Sequence, residues 1–218
     1  MTSRPDTRAR LVEAAERLFA AQGVDGVSLR EINREAGARN AVALQYHFTD
    51  RAGLLRAVLD KHMPDVEARR HALLDRYDAE GGGVRALAGA LVRPLAAKLS
   101  DEAGGREFLQ IHADLLNRPR PALDPAALED PAHSLYRWRA RLDPLLEPEA
   151  VRLHRRFTAV VYTAVELGRR ARSGRHRDDR LFVSHLTDVV AAILTAPVSD
   201  ETRRLVGEKS RAGRAGTS

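Results

Sequence analysis

The chain has 218 residues, of which 44% are hydrophobic and 30% charged, the composition of a globular protein with one large or two small domains. It contains no cysteine, so disulfides, thiolate metal sites and a cysteine nucleophile are excluded. Most of the net charge of +6 lies in residues 137–180, where twelve arginines face six acids, whereas residues 26–62 carry a net of only +2, so total charge is a weak indication of a nucleic-acid partner.

The N-terminus does not resemble a secretory signal, because charged side chains such as Arg8, Glu13 and Arg17 interrupt any apolar core. No stretch of 18 consecutive apolar residues occurs, so the sequence predicts no membrane-spanning helix and no membrane partner. We therefore expect a cytoplasmic protein.

The first predicted element is an amphipathic helix over residues 7–22, in which apolar residues recur at i, i+3, i+4 and i+7. A short helix over residues 28–36 follows. Ser28 and Glu31 have the spacing of a capping box, in which each side chain binds the backbone N–H of the other residue. Gly37 ends this helix and predicts a tight turn.

A second short helix is predicted over residues 40–46, and a long helix begins after Asp50. Pro64 predicts a break or kink in the long helix, because proline lacks a backbone N–H. No run has the pattern of a strand, so the predicted fold class is all-α. Later helices are predicted over residues 84–99, 101–117, 125–143, 148–173 and 179–196.

Planar hydrogen-bonding side chains crowd into the second short helix, where charged or apolar residues would be usual. Asn40, Gln45, Tyr46 and His47 lie within eight residues. Asn and Gln amides can bind adenine N6 and N7 in a bidentate manner, and small apolar side chains can contact the thymine methyl. Two short helices joined at Gly37 therefore indicate a helix-turn-helix whose second helix enters the major groove.

Residues 8–62, about a quarter of the chain, resemble the DNA-binding domain of the TetR (tetracycline-repressor-like) family of transcriptional regulators. The resemblance rests on the runs LVEAAERLFAAQGVDGVSLREI, AG, LQYHF and DRAGLL. Asn33 stands where the motif usually has alanine, so its side chain either turns outward or is hydrogen-bonded in the crossing of the two short helices. The segment 37–48 is one residue longer than usual, which the turn or the start of the second short helix must absorb.

The resemblance implies a bacterial, all-helical homodimer that binds a palindromic operator in double-stranded DNA, with repression the commoner mode. An N-terminal three-helix helix-turn-helix domain would cover residues 1–50. A C-terminal helical domain for ligand binding and dimerisation would cover residues 51–200, and a small-molecule effector bound there would release DNA. Residues 201–218 are expected to form a flexible tail.

By position, the resemblance implies a DNA-binding set within the helix-turn-helix. Residues at the start of the first short helix would approach phosphates, the second short helix would face bases, and residues near its end would hold phosphates. The set is Ser28, Arg30, Arg39, Asn40, Ala41, Val42, Gln45, Tyr46, His47 and Arg51.

The resemblance also implies that the last two long helices pair with their copies across a dimer interface, where Ala164 and Gly168 would allow close approach. The interface candidates are Phe157, Val161, Ala164, Val165, Gly168, Phe182, Leu186, Val189, Val190 and Ile193. A ligand pocket among the middle helices would use Phe108, His112, Leu115, Tyr136, Trp138 and Tyr162. For both sets the alternative is packing within one subunit. The spacing of the arginines does not indicate an acidic effector.

The sequence contains no His-Glu-x-x-His, no Gly-x-Ser-x-Gly and no Gly-rich phosphate loop, so we expect no enzyme, no catalytic residues, no metal and no cofactor. A different class of function remains open. The chain could be a helical protein-interaction scaffold whose helix-turn-helix no longer binds DNA, which the extra residue after Gly37 favours.

Overall fold

A computed structural model describes residues 7–37, 43–120 and 129–215, and within these ranges the regular structure is entirely helical, which confirms the all-α fold class. The N-terminal helices are α1 (Thr7–Gln22), α2 (Leu29–Glu35), α3 (Ala43–His47) and α4 (Arg51–Glu80). The predicted bounds of α1 and α2 are confirmed to within one residue.

The remaining helices form the body of the protein. They are α5 (Gly83–Ala96), a 3₁₀ turn (Ala97–Ser100), α6 (Gly105–Leu116), α7 (Ser134–Leu142), a 3₁₀ turn (Asp143–Leu145), α8 (Pro148–Arg152), α9 (Arg155–Arg172), α10 (Arg180–Thr195) and α11 (Asp200–Ala215). The glycine triplet 81–83 joins α4 to α5, and all three glycines have positive φ, as a linker between helices requires.

Of the break or kink predicted at Pro64, the break is wrong, because α4 continues through this residue to Glu80. Proline removes only one intrahelical hydrogen bond, and its side chain lies on the exposed face of α4. Buried residues on both sides, such as Val58 and Val66, hold the two halves of the helix against the protein. Packing of the buried face therefore outweighs the local cost of proline.

Three other segments differ from the prediction. The helix expected over 148–173 is interrupted at His154, whose φ of 55° is left-handed, so α8 and α9 are separate. The helix expected over 125–143 is also interrupted: Glu129 is helical, residues 130–133 form a turn, and regular helix begins again at Ser134. Of the flexible tail expected over 201–218, residues 201–215 belong to the helix α11, and an Arg203–Asp200 ion pair of 3.0 Å supports its first turn.

Two hydrophobic cores organise the chain, and α6 contributes to both. The N-terminal core gathers α1–α3 and the start of α4 around Phe19, Leu44 and Phe48, but it also contains Ile111 and Leu115 from α6. Other α6 residues, such as Phe108, belong to the core of the body. The helix-turn-helix domain and the body therefore share one helix as a common wall.

A buried carboxylate on α1 contacts α4 and the residue before α6. Glu16 of α1 is 2% exposed, and its two oxygens accept from Lys61 Nζ at 2.6 Å and contact His62 Nε2 at 2.5 Å on α4. The carboxylate lies against Gly104, the residue before α6, where an added Cβ would fall 2.0 Å from Glu16 Oε2. Only glycine fits at this position, and its φ of 93° also favours glycine.

Helix α9 packs closely on α6 through small residues. Gly168 faces Ala113 and the carbonyl oxygen of Leu109, and an added Cβ would lie 2.5 Å and 3.2 Å from them. Ala164 is also buried, at 1% exposure. These two residues were predicted to allow close approach between subunits, but the structure uses them for a helix contact inside one subunit.

Among the described residues, no single helix is both long enough and apolar enough to cross a membrane; one bent pair, 180–195 with 200–208, meets the criteria jointly.

We expect Gly168→Ala to lower the free energy of unfolding by about 1–3 kcal/mol, because the new methyl group has no room against Ala113 and the α6 backbone. Gly207→Ala is the matched control, since this helical glycine has open space around it and alanine favours helix by about 1 kcal/mol. Urea denaturation of both variants measures the difference. Equal changes in the two variants would contradict the packing described here.

Candidate functional site

The first short helix, α2, begins with the predicted capping box. The backbone N–H and the hydroxyl of Ser28 both donate to Glu31 Oε2 at 2.8 Å, and Ser28 Oγ accepts from the Glu31 N–H at 3.2 Å. These two Ser28 hydrogen bonds, backbone first, lower the pKa of the Glu31 carboxyl. Because Glu31 already occupies the Ser28 hydroxyl, a phosphate contact by Ser28 would first require this bond to break.

The turn between α2 and α3 is held in place by α1. Gly37 has a φ of 60°, a left-handed conformation that glycine adopts without strain. Arg10 of α1 donates to the carbonyl of Ala36 at 3.0 Å, immediately before this glycine. The Asn33 side chain is buried where α2 packs, so the outward alternative is wrong. The end of α2 is therefore held against α1.

The second short helix, α3, has one buried and one exposed side. Leu44 at 1% exposure and Phe48 at 5% anchor it in the N-terminal core. Tyr46 points away from the protein and is 84% exposed, and its ring meets that of His47 edge-on at 5.1 Å. This is the geometry expected of a helix that presents a surface outward.

The structure describes only part of the predicted DNA-binding set. Arg39, Asn40, Ala41 and Val42 lie outside the described residues, and so does the side chain of Gln45. Arg30 is exposed at the start of α2. Among the described members, Arg30, Tyr46 and His47 therefore have side chains that solvent reaches and that no described hydrogen bond occupies.

Arg51, predicted to hold a phosphate, has a structural contact that the sequence did not suggest. Its Nη1 atom donates to the backbone carbonyl of Val24 at 2.6 Å, across 27 residues. Asp50 caps the same helix start by accepting from Gly53 N–H at 2.7 Å. The start of α4 is thus tied to the connection between α1 and α2, and Arg51 orients the helix-turn-helix.

This geometry has a counterpart among known proteins. Residues 11–58 match the family model described as "Bacterial regulatory proteins, tetR family". Residues 11–58 are therefore similar to the tetR family of bacterial regulatory proteins. The match begins in α1 and ends in α4, so it includes the whole helix-turn-helix, the capping box and the Arg51 contact.

The curated relatives share this domain. The HTH-type transcriptional regulator TtgR of Pseudomonas putida is 42% identical over 55 residues, which are 25% of this chain and 26% of TtgR. The uncharacterized HTH-type transcriptional regulator TtgW of the same species is 37% identical over 62 residues, 28% of this chain and 46% of TtgW. The match thus spans less than half of either relative.

Solved structures were found that extend over more of the chain. SCO7518 from Streptomyces coelicolor A3(2) is 21% identical with a TM-score of 0.43, covering 88% of this chain and 100% of that one. A Rhodococcus sp. protein assigned to the TetR family is 19% identical with a TM-score of 0.43, covering 87% and 98%.

Outside the helix-turn-helix domain, most predicted pocket residues are part of the two cores. Leu115 lies in the N-terminal core, and Phe108 is fully buried in the body. Trp138 is 2% exposed and donates from Nε1 to the carbonyl of Leu87 at 2.8 Å. Tyr136 and Tyr162 remain partly exposed.

His112 differs from the other pocket candidates. Its ring stacks on Phe108 with centroids 5.5 Å apart, and its Nδ1 atom is buried without a hydrogen-bond partner. Burial lowers the pKa of His112 to about 4, and the positive charge of Arg70 acts in the same direction. The imidazole is therefore neutral near pH 7.

A cleft that the sequence did not suggest opens elsewhere in the body. It has a volume of about 460 Å³ and lies between the end of α5 and the turn from α9 to α10. Its walls include Arg93, His176 and Arg180, and none of the six predicted pocket residues lines it.

The predicted dimer-interface residues divide into two groups. Ala164, Gly168, Leu186 and Val190 are buried within the subunit, so they are not available to a partner. This part of the prediction is corrected, because α9 directs its small residues at α6, and Leu186 and Val190 belong to the body core. The residues that keep accessible surface are Phe157, Val161, Val165, Phe182, Val189 and Ile193.

We expect Arg51→Ala to lower the free energy of unfolding by about 1 kcal/mol, because the carbonyl of Val24 loses its charged donor. Arg56→Ala is the matched control, since Arg56 is an exposed arginine one turn further along α4. Thermal or urea denaturation of both variants measures this. Identical stabilities would show that the Arg51 contact does not hold the domain together.

We expect the unfolding free energy to fall by up to about 1.4 kcal/mol per pH unit as pH drops from about 6.5 towards 4, because the unfolded chain binds a proton at His112 that the folded state excludes. His112→Gln should remove this component of the pH dependence, whereas His185→Gln on the exposed face of α10 should leave it intact. Urea denaturation over this pH range tests both. Parallel curves for the wild type and His112→Gln would be the contrary result.

Proposed function

We propose that this chain is a transcriptional regulator that binds double-stranded DNA through α3. The observation that carries the proposal is Tyr46, an aromatic residue 84% exposed on a short helix that Leu44 and Phe48 fix from the other side. A large aromatic ring that is this exposed is well placed for a partner surface. The similarity of residues 11–58 to the tetR family supports DNA as that partner.

The contacts we propose separate into two kinds. Asn40, Ala41, Val42 and Gln45 would read base edges, as their amide and small apolar side chains allow. Tyr46 and His47 would bind phosphates and fix the register of α3 in the groove, together with Arg30 from α2. We now assign Arg51 a positioning role, because its guanidinium already binds the carbonyl of Val24.

The proposed protein acts as a homodimer on a palindromic site. Two-fold symmetry places two α3 helices about one DNA turn, roughly 34–36 Å, apart. The accessible apolar residues of α9 and α10 support this, led by Phe157 at 39% exposure. A regulator that binds bacterial DNA would act in the cytoplasm.

A small-molecule effector bound in the body would release the DNA, so we propose repression as the mode of action. The ligand must bind the released conformation more tightly than the DNA-bound one, since otherwise the equilibrium does not change. The shared helix α6 supports such coupling, because its residues belong to the cores of both parts.

Selection of bound sequences from random DNA with the purified full chain tests the proposed function. We expect a palindromic consensus whose enrichment persists when salt is raised enough to suppress non-specific binding. The alternative, a protein-interaction scaffold without DNA binding, predicts no enrichment at either salt concentration. Enrichment of one half-site alone would support DNA binding but contradict the dimer.

We expect Tyr46→Ala to weaken binding to the selected DNA about 10-fold with little change in thermal stability, because the side chain is 84% exposed and buries little surface in the protein. Leu205→Ala, an exposed apolar residue 51% accessible on α11, is the control and should change neither quantity. Fluorescence anisotropy with labelled operator measures the affinities. Unchanged affinity for Tyr46→Ala would remove the main support for the interface.

We expect Phe157→Glu to dissociate the dimer, because a carboxylate cannot be buried in an apolar interface without a partner. Leu205→Glu places the same charge on α11, outside the proposed interface. Sedimentation velocity at micromolar concentration distinguishes the two species. A dimer that tolerates Phe157→Glu would show that α9 does not form the interface.

A further inference from the structure

An exposed arginine at the start of α1 lies against the end of α3. The guanidinium carbon of Arg8 is 5.3 Å from the centroid of the Phe48 ring, within the range of a cation–π contact. Phe48 follows directly after α3 and is 5% exposed, whereas Arg8 is exposed. The Arg8 charge therefore lies at the protein surface, beside the short helix that is proposed to enter the groove.

Arg8 differs from the other arginines of α1 because its donors are unused. Arg10 donates from Nη1 to the carbonyl of Ala36 at 3.0 Å and from Nη2 to the hydroxyl of Thr7 at 3.2 Å. Arg17, further along the helix, forms an ion pair of 3.1 Å with Glu35. Within the described ranges of the chain, no hydrogen bond and no ion pair occupies Arg8. Its guanidinium is thus available to an anion outside the protein.

The position of Arg8 is set by the packing beneath it. Leu11 and Val12, in the next turn of α1, are 0% and 5% exposed in the N-terminal core. The Arg10 contact ties the same part of α1 to the end of α2. An exposed arginine otherwise samples many rotamers, and the contact with the Phe48 ring restricts them. A donor that is restricted beforehand loses less entropy when it binds.

The rings next to Phe48 belong to the residues that are proposed to bind phosphates. The centroid of the His47 ring is 6.3 Å from that of Phe48, and the Tyr46 ring is 5.1 Å from His47. His47 is partly exposed and Tyr46 is 84% exposed. Arg8 is therefore joined to the proposed phosphate-binding residues through a continuous series of ring contacts at the end of α3.

We propose that Arg8 is a further phosphate contact of the DNA interface, supplied by α1 and positioned by the ring of Phe48. A guanidinium stays charged in proteins, and its planar set of donors suits a phosphate. A phosphate contact carries no sequence information directly, so Arg8 would strengthen binding to every duplex. This inference rests on the proposed function, since it adds a residue from another helix to the α3 interface.

Arg8→Met separates this role from simple covering of Phe48, which needs only the aliphatic part of the side chain. Methionine keeps an unbranched apolar side chain but removes the charge. Fluorescence anisotropy with the full chain gives Kd for the selected operator and for a random duplex of equal length, between about 0.1 and 0.3 M salt. We expect Kd to rise about 5- to 10-fold for both duplexes. The slope of log K against log salt should fall in magnitude by about 0.9, the value for one phosphate.

Two further variants serve as controls. Arg76→Met removes the same charge from an exposed position of α4 that lies about 37 Å along the helix axis from Arg51. It should change the slope by less than about 0.2. Arg8→Lys keeps the charge but lacks the planar donors, so the slope should persist while Kd rises about 2- to 3-fold. A circular dichroism melt checks that each variant folds, and Arg8→Gln replaces Arg8→Met if the latter does not.

An unchanged salt slope for Arg8→Met would overturn the inference and leave Arg8 as a cover for Phe48. A loss of affinity for the selected operator alone would also overturn it, because it would indicate base reading. An equal fall in slope for Arg76→Met would do the same, since net charge rather than position would explain the effect. If the wild-type chain binds neither duplex, the proposed function fails and the inference with it. Wild-type binding with an unchanged slope for Arg8→Met refutes the inference alone.

Discussion

The carboxylate of Glu16 is the contact on which the arrangement of this protein depends. A buried carboxylate is strongly unfavourable unless charged or hydrogen-bonding groups surround it. Its partners come from α4, through Lys61 and His62, and it rests on the backbone at Gly104, where α6 begins. Separating α1 from α4 would leave this charge uncompensated, and the close packing of Gly104 on the carboxylate places the start of α6 against the same pair of helices.

The helix-turn-helix domain has its own internal contacts and meets the body along α4 and α6. The capping box of α2, the glycine turn and the Arg10 contact fix the local shape of the helix-turn-helix. His62 and Arg70 lie eight residues apart on α4, about 12 Å along the helix axis. Arg70 and the Glu16 contact therefore lie on one continuous helix that belongs to both parts of the protein.

Local features were predictable from the sequence because they depend on neighbouring residues. The helix over 7–22 and the capping box at Ser28 are confirmed. The same reasoning failed at Pro64, where a single residue's preference was outweighed by two cores packed on the same helix. It also failed at His154, because the expected long helix shows no local stop signal there.

Sequence by itself determined the all-α class and the helix-turn-helix, since helical periodicity, caps and glycine turns act over a few residues. Tertiary structure alone decided where side chains of ambiguous character go. Gly168 and Ala164 have the same small volume whether they face α6 or another subunit, and only the packing of α9 on α6 selects the first. Likewise, Arg51, Glu16 and Arg70 find partners 27, 46 and 64 residues away, a separation over which no spacing rule applies.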